Sequence, residues 1–347
     1  MSTAKTVQVA REAAGPYFTL AGNDASVSRD GNELDTGIFG TAFNSSIVGI
    51  ISHGLSANAM LRKTAGYNAR LKTIGTSTAF TAEDMSLVAP NTYVIDDVTK
   101  SFWNYNLAIT VFDDGVPVDA EDIVRIDHVV GRVVFDATFT PIGDITVSGQ
   151  FWPTSEFGCV RSISLTQSAD TIETGCFESI GANGGYELYR PTLKSVSADL
   201  EGFYRTSSNF LDLLLAREDI VLEIDWDGKG STICRGVFKV MTDGQSGGIG
   251  GDETESISLV LSVPEDVTPF GWYFGPTSEA PESVKLIIEA WENGTTIFAR
   301  YFPEGVTEKG TQGEYVVTDC SLSTAVDALG EMSVEGQGTG ALTILNG

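Results

Sequence analysis

The chain has 347 residues, enough for two or three domains with separate cores, and its 42% apolar and 10% aromatic content excludes disorder throughout. Forty-seven Asp and Glu face 21 Lys and Arg, a formal net charge of −26 without any basic run, which excludes a protein that grips nucleic acid by neutralising its phosphates. No stretch approaches the ~18 apolar residues of a membrane-spanning helix, and MSTAKTVQVAREAAG has no apolar core segment, so synthesis in a cytoplasm is expected and the sequons at Asn44 and Asn293 are read as chance matches.

In chain order, residues 18 to 62 carry SVS at 26 to 28, the phrase ELDTGIFGT at 33 to 41, and LSANAM at 55 to 60. His53 in IISHGLS has a serine beside it but no acid, and reads as structural. From 75 to 155, TSTAFTAEDMSLVAPNTYVIDD, LAITVFDDGVPVD, IVRIDHVVGRVVFD and DITVSGQFWP read as short strands separated by Asp-Gly, Asn and Pro turns, a small inserted β domain with an accessory, solvent-facing role. His128 adjoins Asp127 there, but neighbouring strand residues point to opposite faces, so they form no orienting pair.

From 156 the alternation is of period two. In SVSADLEGF, Val196, Ala198, Leu200 and Gly202 share one face and Ser197, Asp199 and Glu201 the other; SISLTQ, IVLEIDW and ESISLVLSV repeat the pattern. TSSNFLDLLLARED is the clearest helix, with Ser207 or Ser208 as N-cap and Phe210, Leu213 and Leu214 on one face, able to cover the apolar side of that sheet. DWDGKGSTI starts like a calcium loop, yet Lys229 and Val237 stand where ligands are needed, so a hairpin turn is expected. GGIGGD at 247 to 252 occurs once, without the stacked repeats of a calcium roll, and reads as a hairpin connection. Cys159, Cys176, Cys234 and Cys320 are widely spaced and predict reduced, buried thiols. No catalytic, cofactor or metal residues are assigned, and no enzyme activity is expected.

The chain repeats itself. ELDTGIFGT aligns with TIETGCFES at 171 to 179, Ser26-Val27-Ser28 with Ser164-Leu165-Thr166 (164 − 26 = 138), and LSANAM with VSADLE at 196 to 201 (197 − 56 = 141). VMTDG at 240 aligns with VVTDC at 316, each followed twelve positions after its Asp by a Glu, and IVLEIDWDG with VKLIIEAWENG at 284 to 294. The expected division is a discontinuous first copy, 1–74 plus 265–347, carrying the insert 75–155, with a second copy, 156–264, nested inside; an exchange of second halves between copies is the alternative.

SISLTQSADTIETGCFES, the glycine-rich stretch, LKSVSADLEGFY, FLDLLLARED, IVLEIDWDG and ESISLVLSV together resemble the major tail tube proteins of long-tailed, siphovirus-type bacteriophages, in the variant with a duplicated tube domain. The insert, with TAFTAEDMSLVAPNTYVIDD ahead of VRIDHVVGRVVF and DITVSGQFWP, is similar to a segment seen in such proteins. The resemblance implies a mainly β fold, two sandwich or open-barrel tube domains each with a short helix, that forms rings stacked into a tube in the virion. It implies neighbouring tape measure, baseplate and terminator proteins, no sheath, and double-stranded DNA passing without specific binding. Two copies per chain predict a trimeric ring with pseudo-sixfold symmetry.

By the same resemblance one polar strand face lines the bore: Ser164, Thr166, Ser197, Asp199, Glu201, Glu223, Asp225 and Ser258, with Ser26, Ser28, Ser56, Asn58, Ser333 and Glu335 in the first copy. An acidic, hydroxyl-rich lining keeps DNA from adhering. The loops at 35–54 and 173–194 would reach an adjacent subunit, through Thr36, Gly37, Phe39, Thr174, Gly175, Phe177, Tyr186 and Tyr189. The competing readings are a baseplate hub or tail-completion ring of the same fold, and a carbohydrate-binding β module using Trp103, Trp152, Trp272 and Trp291 as a sugar platform.

Overall fold

The computed structural model describes residues 5–35, 46–61, 68–175, 186–203, 210–246, 254–262, 267–325 and 330–346. The fold is mainly β, with 63% of residues in strands, so sheet register decides which side chains meet. No described helix is long and apolar enough to cross a membrane.

The chain opens with β1 (Thr6–Ala10), β2 (Phe18–Leu20), β3 (Gly22–Asp35) and β4 (Ser46–Leu61), then β5 (Asn68–Ile74). The insert follows: β6 (Thr78–Ala89), β7 (Thr92–Ile95), β8 (Thr110–Asp113), β9 (Val116–Pro117), β10 (Ile123–Asp127), β11 (Arg132–Phe135) and β12 (Ile145–Phe151). Next come β13 (Thr154–Cys159), β14 (Ser162–Glu173), β15 (Tyr189–Phe203), helix α1 (Phe210–Ala216), β16 (Asp219–Asp225), β17 (Thr232–Ser246) and β18 (Thr254–Leu261). β19 (Phe270–Phe274), helix α2 (Glu282–Asn293), β20 (Thr296–Phe302), β21 (Gly310–Asp319), β22 (Leu322–Ala325) and β23 (Gly330–Leu345) complete it.

Strand order β16-β17-β18-β15-β14 recurs as β20-β21-β23-β4-β3. β15 pairs with β18 and β4 with β23, so each first half is joined to its own second half in nested order. A helix precedes the third strand of both units, α1 before β16 and α2 before β20. A hairpin extends each unit beyond that strand, β5 and β13 beside β16, β1 and β2 beside β20.

This topology moves two boundaries. β5 lies in the stretch read as first copy, yet it pairs with β13 and β16 and belongs to the second. The insert therefore interrupts the second copy, not the first, at the tip of the β5–β13 hairpin, where Gly75 N donates to Pro153 O at 2.8 Å. The reason is that a seven-residue strand is placed by its hydrogen-bonding neighbours, and β5 carries no sequence echo of β1.

One sequence match also dissolves. IVLEIDWDG is strand β16, whereas VKLIIEAWENG lies in α2, because Val284, Ile287, Ile288 and Trp291 fall at helical spacing and are all buried, while Ile220, Leu222 and Ile224 alternate. Gly294, with φ of 64°, ends the helix in the left-handed conformation that glycine adopts without Cβ strain.

Leu165, Ala198 and Leu259 of the second copy and Ala59, Leu322 and Met332 of the first belong to one hydrophobic core, together with the buried stripe of α2. The insert has its own core around Phe80, Trp103, Val133 and Val147, in a seven-stranded sheet. It is not a free solvent-facing module. Phe102 and Val129 pack on Val221 and Val237, Val94 and Val130 on Ile233 and Tyr273, and Tyr273 OH donates to Ile95 O at 3.0 Å.

Candidate functional site

Period-two alternation places hydroxyl and acidic side chains on one face of the main sheet and the core on the other. Across neighbouring strands, Ser258 stands opposite Asp199, and Asp199 opposite Ser164. Ser164 is opposite Ser323, and Ser323 opposite Glu331. Farther along, Ser333 pairs with Asn58, Glu335 with Ser56, and Ser56 with Ser26. Asp199, Ser164, Ser323, Glu331, Asn58, Ser56, Ser26, Ser28 and Glu335 are exposed, and Ser258 and Ser333 half-buried. Ser258 Oγ donates to Asp199 Oδ1 at 2.6 Å.

The two copies thus share a single sheet, and the seam that unites them is β14 against β22, Ser162–Leu165 opposite Leu322–Ala325. Ser168 continues it opposite Asp319. Beneath the seam Gln167 is buried; its Nε2 donates to Cys320 O at 3.1 Å and Trp272 Nε1 donates to its Oε1 at 3.2 Å. Above it the polar face forms a trough of about 900 Å³ that spans both copies, and among the described residues no lysine or arginine lines it. Asp199, Glu201, Asp243 and Glu331 supply its negative charge.

Register also sharpens the alignment of the copies. Ser164 and Ser26 occupy equivalent places (164 − 26 = 138), as the sequence indicates, but the equivalent of Ser56 is Asp199 (199 − 56 = 143), not Ser197. A shift of two keeps every side chain on its face.

Of the residues expected on this face, Thr166, Ser197 and Glu201 are exposed beside Asp199, and two need correction. Glu223 is only 8% exposed because the insert covers that end of the sheet; it pairs with Lys72 and with Arg235, whose Nη2 lies 2.8 Å away. Arg235 Nη1 reaches across to Ser101 Oγ at 2.8 Å and Val129 O at 3.0 Å. Asp225 is spent on its turn, accepting from Gly228 N at 3.0 Å and Gly230 N at 3.1 Å, with burial pushing its carboxyl up to about 6.

The loop residues expected at a neighbouring subunit fall into two groups. Thr36, Gly37, Phe39 and Phe177 lie outside the described residues. Thr174 N donates to Leu188 O at 2.8 Å, and Gly175 follows it at the loop's edge. Tyr186 and Tyr189 do reach another unit, but it is the other copy in the same chain: Tyr186 bridges to Ile51, and Tyr189 N donates to Thr339 Oγ1 at 3.0 Å.

No family model and no curated protein matches the sequence.

One feature escapes the sequence reading. Glu255, only 2% exposed, sits beside Asp243 at the edge of the trough, where the two carboxyls share a hydrogen bond and Gln245 donates a further one to Glu255. Burial, and then the neighbouring Asp243 charge, push the Glu255 carboxyl up to about 7. The equal Asp-to-Glu spacing of VMTDG and VVTDC hides it, because that match is one residue out of step with the strands: register places buried Met332, not the exposed Glu331, at the position equivalent to Glu255 (332 − 255 = 77).

The remaining chemical candidates resolve into packing. His53 is buried edge-on against Tyr186 and Tyr315, and desolvation holds its imidazole down at about 4. Asp127 beside His128 is engaged by Arg132 at 2.6 Å and Arg125 at 2.8 Å, and Arg132 bonds onward to Glu292 at 2.8 Å. Cys234 and Cys320 are free, buried thiols; the side chains of Cys159 and Cys176 and the GGIGGD loop lie outside the described residues. Trp103, Trp272 and Trp291 are core residues and Trp152 packs on Phe102 and Tyr105, so they form no exposed platform.

Proposed function

We propose that the chain is a structural virion protein that polymerises as stacked rings into the tube of a long phage tail, an acidic-lined conduit for DNA. The observation that carries this reading is the internal seam. Two units of identical strand order are joined edge to edge, so one continuous sheet presents a polar, acid-lined trough on one side and a shared core on the other. A chain that already joins two such units has the repeating step of a ring. Completing it removes the remaining sheet edges, which otherwise template uncontrolled pairing. The resemblance in sequence supports the same reading, with three chains closing a pseudo-sixfold ring whose bore repels the phosphates of passing DNA.

Electron microscopy of the purified protein tests it. Hollow tubes of stacked rings are expected. Single closed rings that never stack would point to a tube-ending ring of the same fold, and a persistent monomer at high concentration would overturn the reading.

A further inference from the structure

We propose that the free edge of β3 in one copy of the chain seats along the free edge of β17 in a second copy, placing Arg29 of the first against Asp243 and Glu255 of the second. This rests on the ring-forming reading and names the surface that would close it.

The register comes from the seam already inside the chain. There Leu165 faces Leu322, Ser168 faces Asp319, and Cys320 N donates to Gln167 O at 3.0 Å. The position equivalent to each β14 residue lies 138 earlier in β3 (164 − 26 = 138). The position equivalent to each β21, β22 or β23 residue lies 77 earlier in β17 or β18 (335 − 258 = 77). Transferring the seam puts Val27 opposite Gln245, Asp30 opposite Thr242, and Arg29, the equivalent of Gln167, opposite Asp243, the equivalent of Cys320.

Both edges are open. Among the described residues β3 pairs with β4 alone, and Thr242–Ser246 pairs with β18 alone. The chemistry is complementary. In the internal seam the place of Glu255 is held by Met332, which is buried and apolar. In β18 that place holds a buried carboxyl hydrogen-bonded to a second carboxyl and to Gln245, and among the described residues no cation stands with them. Arg29 is exposed, and in its own chain its Nη2 donates to Thr311 Oγ1 at 3.1 Å. An arginine brought across the seam supplies what the acid pair lacks, and it does so only when the second copy is present.

The test is a charge exchange in the full chain, read by sedimentation velocity and electron microscopy, with thermal unfolding of each dilute variant as the folding control. Arg29→Asp should raise the concentration needed for assembly by roughly tenfold or more. Arg29→Asp combined with Asp243→Arg should recover most of that loss. A Val27→Cys/Gln245→Cys variant should give disulfide-linked oligomers ending at a closed three-chain species, whereas each single cysteine should not. Rings that form normally with Arg29→Asp, or form without the Val27–Gln245 cross-link, would overturn this seam while leaving the tube reading standing. A wild-type chain that never assembles would sink both.

Discussion

At the scale of single residues, Glu255 sits in an environment at odds with what a carboxylate requires, buried beside a second carboxyl. A carboxyl raised to about 7 by burial and then by Asp243 favours the folded state only while protonated. Its contribution is therefore complete below the ordinary glutamate value of about 4.3 and is lost as pH rises through about 7. The dilute, unassembled chain should melt at a lower temperature at pH 8 than at pH 5.5, and Glu255→Gln should flatten that slope and raise the pH 8 midpoint. An unchanged slope in scanning calorimetry would mean that the buried pair does not govern it. Arg235 is the opposite case, a buried cation fully engaged by Glu223, Ser101 and Val129.

At the scale of elements, that arginine fastens the insert to β16 and β17. Arg235→Met leaves Glu223 buried with Lys72 as its remaining ion-pair contact and should cost about 3–5 kcal/mol in chemical denaturation. Changing both Arg235 and Glu223 to Met should cost much less, since the uncompensated charge is gone; equal losses in both would refute the ion-pair account. What was legible in the sequence follows the same logic. β3 and β14 align at a constant offset of 138 because alternation and a shared edge role constrain every position. α2 is hidden in the sequence because VKLIIEAWENG contains the apolar letters of a strand, and only the burial of 284, 287, 288 and 291 separates period 3.6 from period two. The insert's attachment was illegible because β5 is identified by its pairings, not by its composition, and Glu223 looked like an open-face residue because its parity is right while its cover comes from residues 101 to 129.

At the scale of the whole molecule, a net charge of −26 becomes a distribution rather than a sum. Part of the acid is consumed in buried pairs, as at Asp127, Glu223 and Glu292, and part is left facing the trough through Asp199, Glu201 and Glu331. Asp199→Lys with Glu201→Lys alters exposed residues, so folding and assembly should persist. The altered trough should then retain double-stranded DNA at low salt and release it as salt rises, in a filter-retention assay. Wild-type levels of retention would argue against a charge-based non-stick lining.

The β14–β22 seam has a kinetic meaning as well as a geometric one. Its two edges belong to one polypeptide, so they meet at an effective concentration of roughly millimolar whatever the amount of protein made. In the proposed ring, only the seams between chains would carry the translational and rotational cost of association. In a ring of six units built from three tethered pairs, every second joint is closed before any encounter takes place. Formation of such a ring then follows the availability of three bodies instead of six, and nucleation can proceed in dilute solution where separate single units would still be searching for one another.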